Sequence, residues 1–295
     1  MGIVEIIKTS QKQWANERNI PLQGSAGERG DKIYTMDINS NFFIPLSNDS
    51  ISEINSGDGN ELKSINNTPA KIQALHSSSA LVVNIFEYWK QNKEYDIIAK
   101  FLGINDKNIL NLEYEKQFTI FNKPKKQANL DICFEYSDNS VVAIESKYTE
   151  PYSLRNAKKT FAPKYFEEKS IWNELPNLLE LANMINKNET EFEYLDAAQL
   201  VKHILGLQNV INNKEKYKLI YIYFPAIEKT PEMKHEIEIL ALNEIMKLDK
   251  INFVYLNWLK VIEKLNRNLK DIRKKYMDYI MGRYVNSYLA VKNNL

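Results

Sequence analysis

Residues 217–226, YKLIYIYFPA, are apolar at almost every position, and this run constrains the fold more than any other stretch of the chain. A strand with one solvent-facing side alternates apolar and polar residues, whereas an unbroken apolar strand is typical of a sheet that is covered on both faces. INFVYLNW, residues 251–258, has the same character. The sequence therefore predicts an α/β protein in which helices cover both faces of a central sheet.

Helical patterns occur on either side of these strands. In HSSSALVVNIFEYWKQN, Leu81, Ile85 and Trp89 recur every four residues, and a preceding serine can cap the helix. In YLDAAQLVKHILGL, Asp196 has the spacing of a capping box with the glutamine that follows it, and Gly206 suits the helix exit. Two further helices are predicted, at residues 169–188 and, as a long C-terminal helix, at residues 258–290.

The first 75 residues differ in character from the rest of the chain, because they are polar and interrupted by turn-forming residues. We predict that residues 1–75 form an irregular N-terminal extension of short strands and loops, packed on a main domain of residues 76–295. KIYTMDI and FFIPL are the strands that we expect in this extension. Neither a repeat nor a low-complexity linker divides the chain further, so one α/β domain with an extension fits best.

Three β-rich segments lie between the helical patterns: NLEYEKQFTI, ANLDICFEY and VVAIESKYTE. The intervening SDNS, residues 137–140, has the chemistry of a hairpin turn between the second and third segments. Charged residues interrupt both strands of this hairpin, Asp131 in the first and Glu145 and Lys147 in the second. Burying a carboxylate in an apolar strand is costly unless something compensates its charge, so the hairpin is the predicted location of a functional site.

The composition limits which metal ion can provide that compensation. The chain contains one cysteine, Cys133, and three histidines that are spread widely along it. These numbers exclude a zinc ribbon or a thiolate-held iron–sulfur cluster, and they argue against a histidine-rich site. The ligands of any metal are therefore oxygen atoms, which favours magnesium, manganese or calcium.

The alternation of side chains along a strand predicts how the site is assembled. Glu145 and Lys147 share one face of their strand, and Asp131 is expected on the opposite face from its neighbour Ile132. If the strands pair, Asp131 and Glu145 can hold a metal together with a backbone carbonyl, which we assign to Ser146. Such a sparse oxygen site, with room for water and a phosphate, suits Mg²⁺. The lysine can position or deprotonate a water, or stabilise charge on the phosphate.

Asp131, followed across the hairpin by Glu145-Ser146-Lys147, resembles the motif of the PD-(D/E)XK nuclease superfamily, to which many restriction endonucleases belong. Leu130 stands where this motif often has proline. The segments from SSSALVVNIFEYW to FVYLNW, about residues 76–260, resemble a restriction-endonuclease-like group within the superfamily. The resemblance implies a restriction-endonuclease-like core, that is, a central mixed β-sheet flanked by helices.

The resemblance also implies further site residues. Members often carry a glutamine followed by a basic residue on a helix after the motif strands, and Gln199 and Lys202 match this pattern. Many carry a glutamate upstream of the aspartate, for which Glu115 is the best match and Glu113 and Glu87 are weaker ones. The implied set of catalytic residues is Asp131, Glu145, Lys147, Gln199 and Glu115.

The function implied by the resemblance is that of a Mg²⁺-dependent endodeoxyribonuclease, a hydrolase of the restriction type, in which Mn²⁺ can substitute for Mg²⁺. The sequence leaves alternatives open: a catalytically silent nuclease-fold protein that binds nucleic acid or protein, or a nuclease of repair or mobile elements. An intact trio counts against the silent alternative, because a silent member has no reason to keep all three residues. RNA also stays open as a substrate.

The expected partner is double-stranded DNA, and cutting both strands favours a homodimer with two sites. The nearest basic residues should contact phosphates and not bases; they are Arg155, Lys158, Lys159, Lys164 and Lys202. No apolar run approaches the length of a membrane span and the N-terminus lacks the features of a secretory signal. We therefore expect a cytoplasmic protein without membrane contact.

Overall fold

The computed structural model of the protein describes residues 2–25, 30–121, 127–152, 160–190, 192–227 and 230–293. The strands are β1 (Leu22–Gln23), β2 (Tyr34–Thr35), β3 (Ile109–Thr119), β4 (Gln127–Tyr136), β5 (Val141–Lys147), β6 (Tyr217–Tyr223) and β7 (Phe253–Asn257). The helices are α1 (Ile3–Glu17), α2 (Asn48–Ser56), α3 (Ser78–Gln91), α4 (Tyr95–Phe101), α5 (Lys164–Glu167), α6 (Pro176–Lys187), α7 (Ala197–Ile211), α8 (Lys234–Leu248), α9 (Trp258–Leu269), α10 (Lys274–Ile280) and α11 (Ser287–Asn293). Within these described ranges, no helix is both long and apolar enough to cross a membrane.

The central sheet is mixed and has the strand order β3-β4-β5-β6-β7. β3, β4 and β5 pair antiparallel, and the turn between β4 and β5 places Asn139 in the left-handed region, with φ of 60°. β6 and β7 run parallel to β5. Parallel neighbours need crossover connections, and these contain α5 to α7 before β6 and α8 before β7. The predicted mixed sheet flanked by helices is therefore confirmed.

Apolar side chains pack on both faces of the sheet, as the unbroken strand at residues 217–226 predicted. One face presents Ile144 of β5 and Ile220 of β6 to a core to which α3 and α9 contribute. The other face presents Ala143 and Leu219 to a core that includes residues of α6, α7 and α8. We call these the α3 face and the α7 face.

Helix α7 lies close against the sheet. Its N-terminus is capped by Asp196, whose side chain accepts a hydrogen bond of 3.0 Å from the backbone N of Gln199. The predicted exit at Gly206 is wrong, because the helix continues past this residue. A Cβ atom at Gly206 would lie 2.7 Å from the Cβ of Ala128 and 2.9 Å from the carbonyl oxygen of Phe118. The glycine is therefore required for the close approach of α7 to β3 and β4.

The N-terminal region contains a helix where we expected short strands and loops. Ile3, Ile6, Ile7 and Trp14 are buried along α1, and their spacing is that of a helix with one apolar face. The three isoleucines belong to the α3-face core. The expectation was wrong for this segment because the polar residues between these positions obscured the helical period.

The expected strands of the extension are reduced or absent. KIYTMDI contributes only the two residues of β2, and FFIPL contains no strand among the described residues. Asn41, just before FFIPL, is buried and donates a hydrogen bond of 2.6 Å to the carbonyl oxygen of Ile72. This segment is therefore fixed by side-chain hydrogen bonds and packing. The division of the chain at residue 75 stays a prediction.

The C-terminal helical region is divided into shorter helices. α9 ends at Leu269, α10 begins at Lys274, and a π-helical turn, Met281–Asn286, leads into α11. Leu265 before the break and Tyr276 after it belong to the same core. Both segments therefore pack on that core although the helix is interrupted between them.

Arg283, in the π-helical turn, is fully buried. Its Nε donates to Oε1 of Gln11 (2.9 Å), and its terminal nitrogens donate to the carbonyl oxygen (2.7 Å) and Oδ1 (2.6 Å) of Asn41 and to Oη of Tyr279 (2.8 Å). The guanidinium also lies 4.6 Å from the ring centroid of Trp14. These partners are all neutral, and they join α1, the segment around residue 41 and the C-terminal region.

Candidate active site

Glu145 and Lys147 lie at the end of β5, on the α7 face of the sheet. Alternation along the strand places both on the same side as Ala143. The Nζ atom of Lys147 contacts Oε1 of Glu145. Nε2 of His203, on α7, lies 3.0 Å from Oε2 of the same carboxylate. Glu145 is only 2% exposed. Each oxygen of this buried carboxylate therefore faces a nitrogen atom, one of Lys147 and one of His203.

Asp131 lies on β4, next to the end of β5. Its Oδ2 accepts a hydrogen bond of 2.6 Å from the backbone N of Ser146. The expected alternation fails at this position, because Leu130 packs in the α7-face core and Ile132 in the α3-face core. Residues two apart in a regular strand would share a face. Asp131 is therefore connected to the site by its hydrogen bond with the backbone N of Ser146 on β5. Its side chain also lines a small cavity together with Val83 of α3.

The backbone of β5 is held in place around these side chains. Nε1 of Trp258, at the start of α9, donates a hydrogen bond of 3.1 Å to Oγ of Ser146. The backbone N of Phe224 donates one of 3.0 Å to the carbonyl oxygen of Lys147. Groups that are held by packing and hydrogen bonds on a strand keep a fixed geometry, so β5 is a rigid support for the site.

Glu115, on β3, lies beside Asp131 and lines the same cavity. Its φ is +52°, a left-handed conformation that is uncommon for a residue other than glycine. Nδ2 of Asn129 donates a hydrogen bond to its Oε2. Gly57 lies over the side chain, since a Cβ there would come within 2.9 Å of the Cβ of Glu115. Such a strained position, fixed by its surroundings, is typical of functional sites.

The other two glutamates considered from the sequence have separate partners. Oε2 of Glu113 lies 2.7 Å from Nζ of Lys116. Glu87 is buried and accepts hydrogen bonds from the backbone N of Ser47 (2.9 Å) and from Oγ of Ser50 (2.8 Å). Glu115, by contrast, interacts electrostatically with the charged residues of β5. The geometry thus favours Glu115 as the upstream acidic residue.

The charges of Glu145 and Lys147 stabilise each other. Burial by itself would raise the pKa of Glu145, but the attraction of Lys147 and His203 outweighs it and lowers the pKa to about 2. Burial would likewise lower the pKa of Lys147, but attraction to Glu145 and Asp131 raises it above its ordinary value. At neutral pH, β5 therefore carries a carboxylate and an ammonium group in contact.

Asp131 and Glu115 are in the opposite situation. Burial raises the pKa of Asp131 well above its ordinary range, and repulsion from Glu145 adds to the effect. Burial raises the pKa of Glu115 to about 7 against the hydrogen bond from Asn129, and repulsion from Glu61 and Glu145 contributes. Three carboxylates thus compete for the positive charge of one lysine.

Among the described residues, no group of three or more histidine, cysteine, aspartate and glutamate side chains has the arrangement of a metal site. The oxygens of Glu145 face Lys147 and His203, and Oδ2 of Asp131 accepts a hydrogen bond from the backbone N of Ser146. The expected ligands, Asp131, Glu145 and Ser146, are nevertheless adjacent and offer oxygen donors. Their role as ligands stays a prediction.

Helix α7 contributes to the site through a residue that is not among the candidate site residues predicted from the sequence. His203 lies one turn after Gln199, on the same side of the helix, and it contacts Glu145 directly. The spacing from Gln199 was the available signal, but a single histidine on an apolar helix is usually part of a core. Gln199 is partly buried, and its role in the site stays a prediction.

Three of the expected DNA-binding residues lie outside the described residues: Arg155, Lys158 and Lys159. Nζ of Lys202 donates a hydrogen bond of 3.1 Å to the carbonyl oxygen of Thr160 and lies 4.8 Å from the ring centroid of Phe161. Nζ of Lys164 lies 4.7 Å from the ring centroid of Phe121. These two lysines form a basic and aromatic patch beside α7.

Comparison with known proteins supports the nuclease resemblance. A family model described as restriction endonuclease associating with ARP, REase-ARP, matches residues 8–285. Neither the curated proteins nor the solved structures give a significant match to the chain. The family match covers both the hairpin with Asp131 and Glu145 and the helix with His203, and it confirms the predicted restriction-endonuclease-like group. The chain belongs to the family of restriction endonucleases associating with ARP.

Proposed function

We propose that the protein is a Mg²⁺-dependent endonuclease that hydrolyses phosphodiester bonds in double-stranded DNA. The observation that carries this proposal is the junction of Asp131 with Glu145 and Lys147 through the backbone of Ser146, in a chain of a restriction endonuclease family. Buried charges with strongly shifted pKa values are typical of sites that perform chemistry.

The excess of negative charge supports a divalent cation at this site. A cation beside Asp131 and Glu145 would reduce the repulsion that raises the pKa of Asp131. Carboxylate oxygens and the carbonyl oxygen of Ser146 are hard donors, which fit Mg²⁺ and also Mn²⁺. When bound, the ion would polarise the phosphate and lower the pKa of an attacking water.

Lys147 acts in this proposal as a positive charge near the phosphate. Its raised pKa keeps it protonated at neutral pH, and an ammonium group donates hydrogen bonds but cannot accept a proton. It therefore stabilises negative charge that develops on the phosphate, or orients the attacking water.

Glu115 is the group suited to proton transfer. Its pKa of about 7 means that both protonation states are populated near neutral pH, which is the condition for an efficient general acid or base. The side chain lines the cavity shared with Asp131. We propose that it accepts or returns a proton during hydrolysis, and that Gln199 helps to orient the water.

DNA approaches from the side of α7 in this proposal. Lys164 and Lys202 lie on that side, and the basic segment with Arg155, Lys158 and Lys159 directly follows the motif strand in sequence. We propose that these residues contact phosphates and position the duplex. Cutting both strands requires two sites, so a homodimer is the proposed assembly.

Cleavage of plasmid DNA tests the proposal. We expect linear products with defined ends in Mg²⁺ or Mn²⁺, and no cleavage in Ca²⁺ or in a chelator. Ca²⁺ should support DNA binding, because it satisfies the carboxylates but is the weaker Lewis acid. The Asp131→Ala variant is the control for contaminating nucleases, and a single-stranded RNA substrate of the same length tests the choice of DNA. Equal cleavage under all metal conditions would contradict the proposal.

A further inference from the structure

His203 makes a contact that packing does not explain. The side chain is 3% exposed, and neither ring nitrogen makes a well-formed hydrogen bond within the described residues. Burying an unpaired polar atom costs free energy that an apolar residue of similar size would avoid. The contact of Nε2 with Glu145 is therefore the interaction that accounts for a histidine at this position.

The contact fixes one side of the Glu145 carboxylate. The oxygens of an ionised carboxylate only accept hydrogen bonds, so in this contact Nε2 of His203 faces Oε2 of Glu145 as the donor. The distance of 3.0 Å between Nε2 and Oε2 is that of a hydrogen bond, but the contact does not have the full geometry of one. Contacts of this kind often align only when the substrate or ion is bound.

The position of His203 relative to β5 is determined by the placement of the whole helix α7. The helix is capped by Asp196 and lies close to the sheet at Gly206, which together fix its placement relative to β5. Lys202, the next residue back, donates instead to Thr160. His203 is thus the residue through which α7 reaches Glu145.

We propose that His203 is a positioning residue for metal binding: by holding Oε2 of Glu145 it would leave Oε1, now against Lys147, as the oxygen that could bind the metal. This inference rests on the proposed function, because it assumes that Glu145 is a ligand. Hydrogen-bond partners of ligating carboxylates typically contribute about 10- to 100-fold to metal affinity or activity.

Three variants of His203 separate this role from packing. His203→Phe keeps the ring volume without a donor, His203→Ala removes both, and His203→Gln retains an amide donor. The matched control is Ile204→Ala, which removes a fully buried apolar side chain of α7. Mn²⁺ binding to the DNA-free protein is measured by calorimetry, and cleavage is measured as a function of Mg²⁺ and of DNA.

We expect His203→Phe and His203→Ala to weaken Mn²⁺ binding by about 10-fold or more and to raise the Mg²⁺ requirement for cleavage equally. His203→Gln should recover most of the affinity, and the KM for DNA at saturating Mg²⁺ should not change. Ile204→Ala should lower the melting temperature only. Wild-type metal affinity in His203→Phe would overturn the inference. If Mn²⁺ binding depends on His203 but the wild type does not cut DNA, the positioning role holds and the proposed reaction fails.

Discussion

Two regions of this molecule bury charged side chains, and they do so in opposite ways. Arg283 is surrounded by neutral acceptors and aromatic rings, and the described contacts satisfy its guanidinium from several directions. The site around Glu145 gathers three carboxylates against one lysine and one histidine, and repulsion among the carboxylates helps to raise the pKa values of Asp131 and Glu115.

The difference separates a charge that supports folding from charges that are suited to chemistry. Arg283 connects Gln11 and Asn41, which are 272 and 242 residues away in sequence, so its hydrogen bonds join distant parts of the chain. The carboxylate site joins neighbouring strands that the sheet already pairs. Removing the charge of Arg283 should therefore destabilise the fold, whereas removing one of the carboxylate charges should reduce repulsion within the site.

The largest expected effect is that of Arg283→Leu. The substitution removes the donor to the buried side-chain oxygens of Gln11 and Asn41, and we expect a loss of about 4 kcal/mol in the free energy of unfolding. Denaturant unfolding measures this loss. Arg267→Ala removes an exposed arginine of α9 and should change stability by less than about 0.5 kcal/mol. Equal effects of the two variants would show that Arg283 does not have the structural role assigned here.

Asp131→Asn should have the opposite effects, that is, a large loss of cleavage without a loss of stability. The amide can still accept from the backbone N of Ser146 but lacks the negative charge, so we expect single-turnover cleavage to fall by about 10²-fold or more, roughly 3 kcal/mol. In a chelator, its melting temperature should equal or exceed that of the wild type, because a repelled charge is gone. A clear loss of stability would mean that Asp131 supports the fold.

Glu115 predicts a pH dependence of stability in the metal-free protein. Its pKa is raised from an ordinary 4.5 to about 7, so the folded state binds the proton more tightly than the unfolded state does. This contribution is present below pH 4.5 and is lost as the pH rises through about 7, for a total of at most about 3 kcal/mol. Glu115→Gln should remove this part of the slope in denaturant unfolding between these pH values. An unchanged slope would contradict the assignment.

The smallest effects concern surface charge. Lys164→Ala and Lys202→Ala should weaken binding to every DNA sequence alike and reduce the salt slope by about one unit for each phosphate that the protein no longer neutralises. Lys216→Ala is the control, because Lys216 precedes β6, which runs parallel to β5, and so lies at the opposite end of the sheet. An identical slope for all three variants would remove the α7 side as the DNA-binding surface.

The sequence predicted the elements whose signals are long and local. The apolar run at residues 217–226 indicated a sheet covered on both faces, and the SDNS turn indicated the hairpin; both are present. α1 was missed because its apolar period is spread among polar residues. The continuous C-terminal helix was an overextension, since no glycine or proline marks the break between Leu269 and Lys274.

The site was predictable only in part, because its details depend on tertiary geometry. Alternation along β5 places Glu145 and Lys147 on one face. It fails around Asp131, because Leu130 and Ile132 pack on opposite faces of the sheet. Neither this change of face nor the left-handed backbone of Glu115 on β3 has a sequence signal. His203 gains its meaning only from the distance between α7 and β5.

The distance between α7 and the sheet depends on the absence of a side chain at Gly206. At Gly206 the helix rests on Ala128 and on the backbone of Phe118 with no room for a methyl group, and backbone atoms cannot rotate away as a flexible side chain can. A single added carbon would force α7 away from the sheet, and His203, less than one turn before Gly206, would move with the helix. The alignment of the charged candidate site thus depends on an uncharged position, where glycine has no side-chain carbon.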